Sequence, residues 1–70
     1  MFWQPIETYQ KPQKEWDIEF PKALFYSKET GIVIARCYLI DENQQEFKFV
    51  YDSDGFSIEP THWMLLPNLP

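Results

Sequence analysis

The chain places prolines only near its two ends, at Pro5, Pro12, Pro21, Pro60, Pro67 and Pro70, and none falls between residues 22 and 59. Proline cannot donate to a strand ladder, so this uninterrupted window is where a sheet fits. Within it, KALFYS (22–27) is rich in strand formers, and KETG follows with Gly31 suited to a left-handed hairpin position. IVIARCYLI (32–40) is the longest apolar run, and DENQQ (41–45) reads as a hairpin loop. EFKFVY (46–51) alternates, with Phe47, Phe49 and Tyr51 on one face and Lys48 and Val50 on the other. DSDG (52–55) is a turn leading to a short FSIE strand. The spacing predicts a mainly β fold (a small α+β variant is the alternative): an antiparallel meander of three to five strands, partly barrel-like.

A chain of 70 residues makes one small domain, 1–70, with 11–21 set apart before the sheet. A domain of this size buries only about 60% of its unfolded surface, so apolar mass is at a premium. Three Trp, four Tyr and six Phe supply it. The middle strand is apolar on nearly both faces, so both faces are expected to be covered. The two termini are the candidates for that cover. Trp3 and Ile6 at one end and His62, Trp63 and Leu66 at the other are expected to form a structural clamp over the sheet. Pro60 and Pro67 bracket THWMLL, so that segment can pair locally without extending as an open edge. A second reading makes PNLP (67–70) an exposed ligand for a partner's groove. In QKEWDIEF (13–20), Trp16, Ile18 and Phe20 alternate as in a strand, while Trp16 and Phe20 also sit one helical turn apart. Pro21 disfavours helix at Phe20, so an extended or single-turn segment is expected. With so many aromatics on a small sheet, a homodimer formed edge to edge is also compatible.

The net charge of −5 is unevenly placed. Residues 1–37 balance Glu7, Glu15, Asp17, Glu19 and Glu29 against Lys11, Lys14, Lys22, Lys28 and Arg36. Residues 38–70 set Asp41, Glu42, Glu46, Asp52, Asp54 and Glu59 against Lys48 alone. Such a field disfavours nucleic acid and favours a basic surface. An ordinary solvated face is the simpler account of it. One cysteine makes no internal disulfide, the opening MFWQPIETYQ lacks the features of a signal peptide, and no apolar run reaches the roughly 20 residues of a membrane span. These features point to the cytoplasm, that of a host cell on the resemblance below.

Chemistry-bearing residues are few. A structural zinc site wants four Cys or His ligands, and the chain has one of each, Cys37 and His62. Cys37 lies mid-strand in an apolar run, where a buried inert thiol is expected. His62 could act as a base, but no nucleophile or orienting partner accompanies it, and a hydrogen-bonded structural role fits better. Asp52-x-Asp54-Gly55 resembles a calcium loop until its register is completed: Val50 and Thr61 then fall at ligand positions neither can fill. No phosphate-cradling glycine loop is present. The reading is therefore of a non-enzymatic protein with no catalytic residue, metal or cofactor. Two nucleic-acid readings remain beside it. The Phe47/Phe49/Tyr51 stripe could stack single-stranded bases, although such platforms lie in positive grooves, and the acids of the second half could imitate phosphates.

WQPIET (3–8) together with PTHWMLLP (60–67) resembles a family of very short phage and prophage proteins of unknown function. Its members open W-x-P-I-E-T-A-P-K-D-G and close T-H-W-M-P-L-P-x-P-P. The resemblance covers about fourteen of the 70 residues. Leu65 stands where that family has proline, and after Thr8 the family's A-P-K-D-G gives way to YQKPQKEWDIEFP, an insertion before the first long strand. The resemblance implies a phage or prophage origin and no reaction. With the acidic second half, it leads to the expectation of a binding protein that engages a host protein with a basic surface, as an inhibitor of a host defence component; a small structural or accessory phage protein is the other reading. The expected contact surface has Trp16 and Phe20 as apolar anchors and Asp41, Glu42, Asp52 and Asp54 as an acidic rim. The competing expectation makes Trp16 and Phe20 core.

Overall fold

Two polar turns set the register of the central hairpins. In the computed structural model, which describes residues 2–51 and 55–67, Ser27 Oγ accepts the Glu29 N–H at 3.2 Å, and Gly31 takes φ +74°. That conformation costs a residue with a Cβ about 1–2 kcal/mol, which is why glycine stands there. At the next turn Asp41 Oδ1 accepts the N–H groups of Asn43 and Gln44 at 3.0 and 3.2 Å. Asp41 is thus a turn former before it is anything else.

These turns join β2 (Ala23–Ser27), β3 (Gly31–Asp41) and β4 (Glu46–Val50), and a further turn leads to β5 (Ser57–Ile58). The ends of the chain add β1 (Gln4–Pro5), a single 3-10 turn at Ile6–Thr8, and β6 (His62–Met64). All pairings between these strands are antiparallel, in the order β1-β6-β2-β3-β4-β5, so the fold is the expected mainly β meander. It has six strands rather than three to five because each chain end adds a short one, and β6 returns along the far side of β2. The sheet is not closed into a barrel. It is nonetheless bent. From β6 to β5 there are four strand spacings of about 4.8 Å, about 19 Å in a flat sheet. Residues 59–61 must bridge that gap, and the four Cα steps from Ile58 to His62 reach at most about 14 Å. Only a curled sheet satisfies both.

Register assigns each side chain to a face. Ala23 opposes Ala35, Phe25 opposes both Val33 and Trp63, Cys37 opposes Phe49, and Phe49 opposes Ile58. These line the inner face and form the core, into which Tyr9 is packed from the segment after the 3-10 turn. Tyr9 meets Phe25, Trp63, Phe49 and Phe20 at ring-centroid distances of 5.1, 5.2, 5.9 and 6.4 Å. Phe47, Phe49 and Tyr51 pack against this cluster. The aromatic stripe of β4, continued by Tyr51, is therefore half-buried against the core.

The clamp between the chain ends takes a different form from the one expected. It is strand pairing rather than a lid: Gln4 pairs with Trp63, Pro5 with His62, and the Ile6 N–H donates to the Thr61 carbonyl at 3.0 Å. Because Gln4 shares a face with Trp63, Trp3 must point the other way. Its ring packs edge-on against Tyr26 at 6.5 Å, while Trp63 packs inward and donates from Nε1 to Thr8 Oγ1 at 3.0 Å. Ile6 and Leu66 are half-buried, and His62 is exposed with Nδ1 2.9 Å from Thr61 Oγ1. The expectation that both faces of β3 are covered also fails, since Ile32 and Ile34 are 61% and 50% exposed. Residues 68–70 of the PNLP reading and Asp52 and Asp54 of the expected acidic rim lie outside the described residues. No helix among the described residues is long and apolar enough to cross a membrane.

Candidate partner-binding surface

The insertion docks on β3. Beyond Ala35 that strand has no partner in β2, and the insertion fills the vacant edge: the Trp16 N–H donates to the Leu39 carbonyl at 3.0 Å, in an isolated parallel bridge between Glu15 and Leu39. Glu15 Oε2 accepts the Glu42 N–H at 2.7 Å. At the other end Arg36 Nε donates to the Phe20 carbonyl at 3.0 Å, and the Phe20 N–H donates to the Asp17 carbonyl at 3.3 Å. Asp17 Oδ1 further accepts the Glu19 N–H at 3.0 Å. The 13–20 stretch is thus a bridge followed by a tight turn, as Pro21 implies.

This network holds Trp16 in an uncommon state. Its backbone has φ +52°, the left-handed region, where a bulky residue is a true outlier, yet its side chain is 58% exposed. The ring leans on Tyr38 at 5.7 Å, and Tyr38 in turn is met by Arg36, whose Nη1 donates to the tyrosine hydroxyl at 3.2 Å. Ile18, two residues on, is 71% exposed. Glu15, Asp41 and Glu42 surround this end of the sheet, and the Glu15–Glu42 bond ties the insertion to the β3–β4 turn. Of the six expected contact residues, Trp16, Asp41 and Glu42 come together here. Phe20 does not join them. It is half-buried, packed on the core and against Tyr9, and is the inner support of the insertion rather than an exposed anchor.

A second part of the surface was not anticipated. The outward positions of β3 are Ile32, Ile34, Arg36 and Tyr38, spaced about 7 Å apart and leading in a line toward Trp16. Beside Ile32 and Ile34 lie their cross-strand partners Tyr26 and Leu24, with Trp3 on Tyr26. Trp3, Tyr26, Ile32 and His62 border a shallow hollow of about 320 Å³. Tyr26, Ile32 and Ile34 are 40%, 61% and 50% exposed, so neighbouring apolar side chains of this face stand in solvent. The sequence did carry a signal for this face in the two-sided apolar run of β3.

The remaining chemistry is quiet. Cys37 is fully buried, and burial pushes its thiol up to about 11, against an opposing pull from Lys11. Burial, and secondarily Cys37, also raises Tyr9. Among the described residues, no group of three or more His, Cys, Asp or Glu is placed to hold a metal ion.

Comparison with known proteins adds no family: no family model matches this chain, and neither a curated protein nor a solved structure is similar to it.

Proposed function

We propose that this chain is a phage- or prophage-encoded, non-enzymatic binding protein that engages a host protein through the outward face of its sheet, with inhibition of a host defence component as the outcome. Trp16 carries the reading. A small domain gains most by burying its largest side chains, yet here a tryptophan is kept in solvent on a backbone whose left-handed conformation costs about 1–3 kcal/mol. Backbone outliers of this sort collect at functional positions, and an anchor already fixed in place loses little entropy on binding. Glu42, Glu15 and Asp41 beside it favour a partner that brings basic groups to this end, and Tyr26, Ile32 and Ile34 extend the apolar contact along β3. The terminal motifs WQPIET and PTHWMLLP support the phage origin.

The test is capture from bacterial host lysate by the wild type, by Trp16→Ala and by Ile34→Asp, each confirmed folded by its melting curve. A host protein enriched by the wild type and reduced at least tenfold by either substitution supports the reading. Equal recovery by all three, or recovery of no protein, contradicts it.

A further inference from the structure

Lys11, Lys14 and Lys22 are half of the six basic residues in a chain of net charge −5, and the fold brings all three to one groove. Two of them, Lys11 and Lys14, arrive with the insertion, and Lys22 precedes β2. The only carboxylate among the lining residues is Asp17, whose Oδ1 already accepts the Glu19 N–H. The groove encloses about 510 Å³, within the usual span of small-molecule sites of about 300–1,000 Å³. Its apolar wall is aromatic: Tyr9, Phe20 and Trp63.

That wall is preformed. Trp63 is pinned by its Nε1 bond to Thr8 Oγ1, and Tyr9 stands edge-on between Trp63 at 5.2 Å and Phe20 at 6.4 Å. All three lysines are exposed. The Lys11 ammonium lies over the Phe47 ring, 4.8 Å from its centroid, which leaves Lys14 and Lys22 without that aromatic contact among the described residues. The groove therefore joins an aromatic wall to an excess of positive charge that attracts an anion, in a molecule that is acidic as a whole.

We propose that this groove is a binding site for a small organic anion, a ring-sized apolar body carrying a single carboxylate, separate from the Trp16 surface and independent of the function proposed for it. The body packs on Tyr9, Phe20 and Trp63, and the carboxylate is held by Lys14 and Lys22. A polyanion is disfavoured because its remaining charges fall in the field of the eleven acidic residues.

The probe is naphthoate, titrated into the isotopically labelled full chain and followed by amide and indole correlation spectra. Shifts are expected at Lys14, Lys22, Ala23 and the Trp63 indole N–H. The neutral analogue naphthamide is expected to bind about tenfold more weakly, as the loss of one charge-assisted contact implies. The double variant K14E/K22E is expected to lose binding by at least the same factor, and Lys28→Glu, on the β2–β3 turn, to keep it. The proposal is overturned by equal binding of the acid and the amide, by shifts centred on Ile32 and Ile34, or by no binding. It is also overturned if oligothymidylate or an acidic peptide displaces naphthoate at concentrations below those at which naphthoate itself binds.

Discussion

At the scale of single residues, Trp16 and Cys37 show opposite uses of the same fold. Trp16 combines a left-handed backbone with an exposed ring. Replacing it by alanine removes the ring but leaves a Cβ in the unfavourable conformation, whereas glycine removes both. Trp16→Gly is therefore expected to be more stable than Trp16→Ala by about 1 kcal/mol in urea unfolding, the reverse of the order at ordinary exposed positions. An equal or lower stability for the glycine variant would show that the backbone there is not strained. The control is Gly31, where an added Cβ meets no atom within 4 Å, so Gly31→Ala is expected to cost only the conformational term of about 1 kcal/mol. Cys37 is buried. Its ordinary value of 9.0 rises to about 11 in the fold, so between those values the unfolded chain has lost a proton that the native state keeps. The contribution of this thiol to stability is complete below pH 9 and is lost as the pH rises toward 11. The loss due to this thiol is on the order of 2–3 kcal/mol, and Cys37→Ala should abolish that part of the fall when unfolding is measured across the window. Tyr9, raised by burial as well, adds a loss of the same sign at higher pH.

At the scale of elements, the strands were legible and the interfaces between them were not. Period-two alternation in EFKFVY, the apolar run of β3 and the turn chemistry at Gly31 and Asp41 determine β2, β3 and β4 almost to the residue, because each is set by neighbours close in sequence. The pairing of β1 with β6 is the opposite case. β1 is two residues long and contains Pro5, β6 lies between Pro60 and Pro67, and β1 owes its pairing to β6 across nearly the whole chain, while β6 pairs with β2 as well. Sequence could place Trp3 and Trp63 near one another. It could not say that they take opposite faces, since a shift of one residue in register exchanges the two. The insertion was equally divided in its reading: Trp16, Ile18 and Phe20 share a strand period, but the tight turn at Asp17 sends Phe20 inward to Tyr9 and leaves Trp16 outside. Trp63 holds β6 and β1 to the core through Tyr9 and Thr8. Trp63→Ala is accordingly expected to cost about 3 kcal/mol, the lower part of the range for buried tryptophan because the side chain is half-buried. A melt that is barely altered would remove β6 from the account of stability.

At the scale of the whole molecule, one curled sheet has to serve as core and as surface. Its inner face is filled by the aromatic cluster around Tyr9, and the outer face is left with Tyr26, Ile32, Ile34 and, at its end, Trp16. The candidate site was legible in part: Trp16 and the acids Asp41 and Glu42 stand together, while the apolar stretch of β3 was read as material awaiting cover from the termini. The reason is geometric. Each terminus contributes a strand to the plane of the sheet, and strands in the plane cannot cover it. The central claim is that the insertion is a fixed part of this sheet that presents Trp16, rather than a loose loop. Backbone hydrogen exchange of Trp16 tests it most directly, because that amide donates to Leu39 across the insertion–β3 contact. Exchange slowed about a hundredfold or more relative to an unstructured peptide, together with a freely exchanging Trp16 indole N–H, is the expected result. A Trp16 amide exchanging at the unprotected rate would contradict the account.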